Sequence, residues 1–453
     1  MRAVFGLMLS NELHAGGFSL YTESNGYAVG NFAAGIAAEA FDASTAWYNP
    51  AGLALIHEQQ MIVGGVGVLP STTLSGYSQY NYIDVQTPYV EQFTNLQGAE
   101  KALVPSLYYA KPISPNLTLA ASVTTPFGLS TNWGTDSALR YAGTYSKLIT
   151  IDTSPEVGLR INDHLALGAG LDLEYAQVTF NSVLGEPNLA QDLGQLPNTY
   201  DSTSENHGDS FGVGFHTGAL FMFQQNHTRF GLNYQSRIAQ HFIGTSTLTG
   251  RLADAQNLDN PNAVFTSHDL NSNDIQLPDI ITFSGYRDLN NRWALLGSVV
   301  YTGWSVFKNI ELHNVAGGTI TDGNTGVDFV SHEDYRNAWR AALGFNFKWN
   351  EKWMLRMGGG FDQTPTIDAQ RTIRLPDGNR WALSAGAHFQ PFAQWTFDVG
   401  YTYLQAFTKA TINKLVDLDA NNSVYVNASG KGFANLVGAQ VTWLIDKPVI
   451  KNS

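Results

Sequence analysis

Residues 339–349 read Trp339-Arg340-Ala341-Ala342-Leu343-Gly344-Phe345-Asn346-Phe347-Lys348-Trp349, and two unlike faces alternate along them. Odd positions carry Trp339, Ala341, Leu343, Phe345, Phe347 and Trp349; even positions carry Arg340, Ala342, Gly344, Asn346 and Lys348. Successive side chains of a strand point to opposite faces. The stretch is therefore a strand with one apolar face, aromatic at both ends, and one small or polar face. Trp381–Phe389 and Trp395–Tyr403 repeat the pattern, the second with Trp395, Phe397, Val399, Tyr401 and Tyr403 against Thr396, Asp398, Gly400 and Thr402. A soluble sandwich also alternates. Here, however, the polar-face positions are rich in Gly and Ala, and the apolar faces end in aromatics, as the belts at a membrane interface require.

Working outward, the pattern defines 14 strands, at about 60–69, 101–111, 116–125, 147–161, 164–180, 209–223, 228–243, 275–286, 292–306, 335–348, 352–362, 379–390, 395–408 and 430–445. Short and long links alternate between them. The short ones are 111–115, 162–163, 224–227, 288–291, 350–351 and 391–394; the long ones cover about 70–100, 126–146, 181–208, 244–274, 307–334, 363–378 and 409–429. An outer-membrane barrel has an even strand number, short periplasmic turns and long external loops. A soluble sandwich has no reason to sort its loops in this way. The expected fold is all-β: a 14-stranded antiparallel transmembrane β-barrel. A lumen of that size holds water unless something fills it. Residues 16–58 are rich in Ala and Gly and are not strand-like, so they are read as an N-terminal hatch, a plug inside the lumen.

Composition agrees. Charged residues make up 14% of the 453 and aromatics 12%, with 44 Gly; soluble chains carry about 25% charge. No run approaches the roughly 20 apolar residues of a membrane helix. The net charge of −13 leaves no basic stripe to neutralise phosphates, which argues against a nucleic-acid partner. Cysteine is absent, so there is no disulfide framework and no thiol nucleophile. The 11 His are scattered, with no HExxH and no paired metal spacing, and no Gly-x-Ser-x-Gly elbow appears. No cofactor, metal or catalytic residue is expected.

Arg2, the apolar run Ala3–Leu9 and Leu13-His14-Ala15 outline a short signal peptide over residues 1–15. The barrel would then occupy 59–445 and a tail 446–453, with the cell outer membrane as the location.

Gly17-Phe18-Ser19-Leu20-Tyr21, the Gly/Ala-rich stretch after it and Tyr48-Asn49-Pro50-Ala51-Gly52 resemble the N-terminal hatch of the FadL-type transporter family, which carries an Asn-Pro-Ala motif. Asn337–Gly344, Trp353–Arg356, Phe361-Asp362 and Arg371-Thr372-Ile373-Arg374-Leu375-Pro376-Asp377 are similar to its C-terminal half in order and spacing. The resemblance covers nearly the whole mature chain. It implies passive import of long-chain fatty acids or aromatic hydrocarbons: ligand captured by external loops, a pocket against the hatch near Phe18, hatch movement, and lateral exit through the wall. It also implies a monomer working among outer-membrane lipid and lipopolysaccharide. The family's inward kink in the third strand falls on Pro126, Phe127 and Gly128, a candidate lateral gate, although Pro126 also serves as a plain strand terminator. Asn49, Pro50 and Ala51 form the hatch motif; Asn-Pro is equally an ordinary turn starter. Candidate docking charges for the hatch are Asp362, Arg371, Arg374 and Arg380. In the fatty-acid branch two cations meet the ligand carboxylate. Those places fall on Ser182 and Glu311, neither basic, so Lys308 or another cation must compensate, or the substrate is neutral. The competing reading is a general porin or a structural or adhesive barrel. A porin has no hatch, which sets the test: the intact protein should pass almost no ions in a planar bilayer, and deletion of residues 16–58 should open a large conductance. Free conduction by the intact protein would remove the hatch reading.

Overall fold

The computed structural model describes residues 18–82, 87–254, 256–319, 323–419 and 421–446. The expected signal peptide, and all of the expected tail except Asp446, lie outside them. Fourteen strands form the wall: β1 (Gln60–Tyr82), β2 (Ala102–Ser114), β3 (Leu117–Thr124), β4 (Tyr145–Asn162), β5 (Leu165–Phe180), β6 (Ser202–Phe223), β7 (Thr228–Gln235), β8 (Ile280–Asp288), β9 (Trp293–Thr302), β10 (Ala338–Lys348), β11 (Trp353–Asp362), β12 (Arg380–Phe392), β13 (Trp395–Ala406) and β14 (Asn422–Leu444). Each pairs antiparallel with the next, and β14 closes on β1 from Gln60↔Leu444 to Tyr82↔Asn422. Closure pairs the strands all round the ring, apart from a short unpaired stretch at Ala102–Ser106.

The alternation sorts inside from outside as the sequence implies. In β10 Trp339 is 52% exposed and Leu343 56%, whereas Ala342, Gly344 and Asn346 are buried. Lipid-facing aromatics cluster near the short turns: Trp353 stacks on Phe389 at 4.2 Å and Trp395 on Trp443 at 5.9 Å.

Strand lengths differ from the sequence reading at the long-loop end. β1 and β14 run for 23 residues each, and β6 begins at Ser202. At about 3.4 Å per residue such strands project well beyond an apolar band about 25 Å tall. Outside lipid the outward face is no longer selected for apolarity, so the outward-apolar alternation ends while the ladder continues. The long links also hold ordered hairpins, including Ile238–Thr249 with Val264–Leu277 and Asn309–Thr319 with Gly323–His332. The single strand expected at 275–286 breaks between Leu277 and Ile280, at Pro278-Asp279.

Nearly every residue from Phe18 to Ile56 is buried. The segment is folded as short turns, Ala28–Asn31, Ile36–Glu39, Thr45–Tyr48 and Pro50–Leu55, and meets side chains from opposite sides of the ring. Tyr108 of β2, Arg229 of β7, Ser298 of β9 and Thr402 of β13 all hydrogen-bond to it. It therefore lies within the lumen. The inward glycines explain how it fits. A Cβ on Gly168, Gly218, Gly231, Gly358 or Gly438 would collide with this segment. Gly231→Val is accordingly expected to dislodge it from β7 and raise ion conductance severalfold, with heat-modifiable gel mobility confirming an intact wall. Unchanged conductance in a folded variant would refute the close fit.

Candidate functional site

The segment's turns end where the sequence cannot continue them. Asn49 is extended (φ −168°, ψ 96°) and Pro50 has no N–H, so the turn Thr45–Tyr48 stops with its last carbonyls lacking a helical donor. The wall supplies donors instead: His216 Nε2 lies 3.2 Å from Ala46 O, and Gln235 Nε2 donates to Trp47 O at 3.0 Å. Asn49 Nδ2 donates to Ala37 O at 2.7 Å and to Ala219 O of β6 at 3.1 Å, while its Oδ1 accepts from Ala51 N. Ala51 is buried against Ala166 and Leu220. The Asn-Pro-Ala triplet thus ties two parts of the segment to one wall strand.

The charges that meet the segment include several not named from sequence, beside Arg380 and Asp362, which both act electrostatically on its buried Glu23. Arg340 donates to Thr22 and to Phe32 O, with its guanidinium over the Phe32 ring at 3.7 Å. Arg229 donates to the carbonyls of Ala38 and Glu39, both at 2.9 Å. Arg356 pairs with Asp398 at 2.5 Å and lies over Tyr27 and Phe41. Of the four candidates, Arg380 and Asp362 pair with each other at 2.8 Å; Asp362 borders a small cleft shared with Ser19 and Tyr21. Arg371 holds its own loop, bonding to Asp368, Thr366 and Thr411 O. Arg374 lies in a cavity, described below. Arg340, Arg356 and Asn346 sit at inward positions of β10 and β11, and that signal was available in the alternation.

The wall opens beside Phe127. The β2–β3 ladder stops at Leu107↔Val123. The chain then turns through Thr125-Pro126-Phe127, and Gly128–Asn132 pairs with β4, not with β2. Ala102–Ser106 thus bond to β1 alone, leaving a gap. Its upper end is tied by Asn132 N to Gly98 O at 2.9 Å and by Ser130 Oγ to Glu100 at 2.7 Å. Pro105 falls on the unpaired edge, where a missing N–H costs nothing. The N-terminal segment backs the turn: Leu20 N donates to Pro126 O and Gly128 N to Phe18 O, both at 2.8 Å. Phe127 packs in an aromatic cluster with Phe18, Trp304, Phe307 and Tyr335.

Two cavities stand above this cluster. The inner one encloses about 730 Å³ including its mouth, and is lined by Phe18, Leu129, Val178, Phe242, Ile275 and Phe307 among others, with Arg374 and Glu333 as its buried charges. The outer one, about 900 Å³, carries Tyr80, Tyr141, Ser182, Glu186, Asp328 and Asp419. Phe180, Leu312 and Arg374 border both. Arg374 lies 3.4 Å over the Phe180 ring and donates to Ser146 Oγ at 2.7 Å and to the Asn181 and Ala142 carbonyls, all neutral acceptors. Burial lowers its guanidinium, with Glu333 opposing. Burial pushes Glu333 up to about 7, against a Ser331 hydrogen bond and the cations Lys414 and Arg374. Of the pocket residues named from sequence, Phe18 lines the inner cavity and Ser182 the outer. Lys308 is exposed and 3.6 Å from Asp334. Ile310 and Leu312, on either side of Glu311, border the inner cavity, while Glu311 accepts from Asn309.

A closed 14-stranded barrel with a filled lumen, apolar cavities above the filling and a side gap is the architecture of an outer-membrane transport channel, not of an enzyme. The family model described as "Outer membrane protein transport protein (OMPP1/FadL/TodX)" matches residues 6–444. The chain belongs to this family of outer-membrane transporters of hydrophobic compounds. It is 27% identical over 412 residues to the long-chain fatty acid transport protein of Salmonella typhi, covering 89% of this chain and 90% of that one. Its fold is similar to the crystal structure of a Pseudomonas aeruginosa FadL homologue (TM-score 0.77, 19% identity, 94% of this chain and 99% of that one). It is also similar to the Pseudomonas putida toluene transporter TodX (TM-score 0.62, 15% identity, 95% and 98%).

A long-chain carboxylate added to the detergent-purified protein should bind more tightly below pH 7 than above it. Glu333 is neutral on the acid side and becomes an anion beside Arg374 as pH rises through about 7. Glu333→Gln should flatten this dependence, and Arg374→Met should weaken binding about tenfold or more, the effect of losing one charge-assisted hydrogen bond. Tryptophan fluorescence titrations measure both, and an unchanged pH profile in Glu333→Gln would exclude Glu333 as the cause.

Proposed function

We propose that this protein passively imports long-chain fatty acids, with the outer cavity capturing ligand from the lipopolysaccharide leaflet and the inner cavity holding it against Phe18. The carboxylate rests on Arg374, whose hydrogen-bond partners are all neutral; a buried cation gains from an anionic partner. The acyl chain lies among Leu129, Val178, Phe242 and Ile275. Movement of the hatch, residues 16–58, then clears the Phe18–Phe127 contact, and the chain leaves sideways through the gap between β2 and β3 into the bilayer. The protein acts as a monomer, since cavity, gap and hatch belong to one chain. The observation that carries this reading is the unpaired edge Ala102–Ser106 facing a segment, Gly128–Asn132, that forms part of the apolar cavity's wall.

Aromatic hydrocarbons are the second substrate class, favoured by the mainly apolar lining of the inner cavity, whose charged residues are Arg374, Glu333 and the half-buried Lys147. Side-by-side titration with a long-chain fatty acid and a neutral aromatic hydrocarbon separates the two. Tighter binding of the hydrocarbon would overturn the fatty-acid assignment. The route has its own test. Pro126→Val with Gly128→Ala restores a backbone donor and β propensity where the strand leaves the wall, and should cut uptake by about tenfold while binding is retained, a barrier increase of about 1.4 kcal/mol. Undiminished uptake by a folded variant would sink the side exit.

A further inference from the structure

His216 of β6 is fully buried and lies between the wall and the hatch. Its Nδ1 is 2.5 Å from Asp172 Oδ1, and its Nε2 is 3.2 Å from Ala46 O. A carbonyl oxygen only accepts, so the contact with Ala46 needs a proton on Nε2. The short contact with Asp172 needs a second proton between Nδ1 and the carboxyl. Both contacts therefore hold only while the His216–Asp172 pair carries two protons. Remove one, and the remaining ring proton must choose. An anionic carboxylate is the stronger acceptor, so Nδ1–H turns to Asp172 and Ala46 O loses its donor. Nothing on the hatch replaces it, because Asn49 is extended and Pro50 has no N–H.

Carboxylates crowd this pair where it meets the hatch. From β4, Asp152 and Glu156 face it; from β5, Asp172 and, behind it, Glu174. Ser154 bridges Asp152 and Asp172 at 2.7 and 3.0 Å, and Ser122 caps Glu156. On the hatch side Asp42 and Tyr48 flank Ala46 in the chain, and from β2 Tyr108 couples electrostatically to Asp42, Asp152 and Glu156. His216 is the one basic side chain in this group. Gln235, opposite His216 in the β6–β7 ladder, holds the neighbouring carbonyl of Trp47 without any titratable group.

We propose that His216 is a positioning residue for transport, a proton-dependent latch on the hatch: protonated with Asp172 it pins the Thr45–Tyr48 turn, and loss of that proton frees it. This rests on the reading that the hatch moves. The latch holds at low pH and releases as pH rises.

The absence of native cysteine allows a direct test. Ser44→Cys places one buried thiol beside the latch, and its labelling rate by a methanethiosulfonate, normalised to an exposed control cysteine, reports hatch opening. In the otherwise native protein the normalised rate should rise by about tenfold or more between pH 6 and pH 9, the factor for losing one charge-assisted hydrogen bond. In a His216→Ala background, which leaves Ala46 O without that donor, it should be fast and independent of pH. Asp172→Asn, isosteric and less disruptive, removes the anion that draws the ring proton to Nδ1 and offers Nδ1 an amide donor, so Nε2–H stays on Ala46 O and labelling should stay slow across the pH range; it carries the test if His216→Ala fails the heat-modifiable mobility check for folding. The same pH profile in the native and variant backgrounds would overturn the latch while leaving hatch movement intact. No labelling at any pH, with or without fatty acid, would overturn both.

Discussion

The structure depends on one close approach, that of the N-terminal segment's backbone to the inner wall. A lumen bounded by 14 strands is too wide for wall side chains to fill, and the filling segment is too irregular to satisfy its own backbone. Glycine and hydroxyl positions on the wall answer both needs. Gly231, Gly358 and Gly438 let the backbone come within contact. Ser284, Ser298 and Thr402, at inward positions near them, bond to Ala37 N, Gly35 N and Val29 O. A larger residue at the first set would push the chain away from the second, so the two sets work as one device. Buried backbone groups left without partners cost on the order of 1–3 kcal/mol each, which sets the scale for how firmly the segment is held.

Charge orients the segment within this fit. Arg340, Arg356 and Arg380 stand on β10, β11 and β12, while Asp152, Glu156, Asp172 and Glu174 stand across the ring on β4 and β5. The segment's own Glu39 lies toward the cationic side and bonds Asn346 of β10. Its uncharged turn Thr45–Tyr48 lies toward the acidic side and meets it through His216 and Gln235. Reversing the segment would set buried carboxylates against buried carboxylates, a penalty of several kcal/mol per ion.

The barrel was legible because lipid imposes a rule on every second residue. Trp339, Leu343 and Phe347 point outward whatever occupies the lumen, so strand number and turn order followed from local pattern. Where lipid stops, the rule inverts: in Asn422–Ser429 the apolar Val424, Val426 and Ala428 face inward and Ser423, Tyr425 and Asn427 outward, the reverse of the pattern that marks a lipid-facing strand. The inner face was half legible. Its excess of Gly and Ala was plain, but the reason, a backbone lying against it, is a long-range fact. Arg374 shows the same boundary. It stands out as a charge in an apolar neighbourhood, yet only the fold brings it from the 363–379 link onto Phe180, nearly two hundred residues earlier in the chain. Pro105 is illegible for the converse reason: a proline within an apparent strand carries no message until the neighbouring ladder stops beside it.

The placement of cavity and gap bears on why a filled barrel would have a side opening at all. A chain of about a dozen methylenes gains ~10 kcal/mol on leaving water for an apolar site, at about 0.8 kcal/mol per methylene. An apolar cavity that binds such a chain well would trap it if the only way out led through water in the lumen, since the same ~10 kcal/mol would oppose departure. An exit that keeps the chain in contact with apolar surface removes most of that barrier, because lipid offers the same transfer free energy as the cavity. The unpaired edge at Ala102–Ser106 borders the membrane on one side and, across Gly128–Asn132, the inner cavity on the other. In that position the broken strand costs a few ladder hydrogen bonds, each worth about 1 kcal/mol net, against a barrier several times larger. The trade is favourable only for an apolar solute; an ion or a sugar would find no advantage in it.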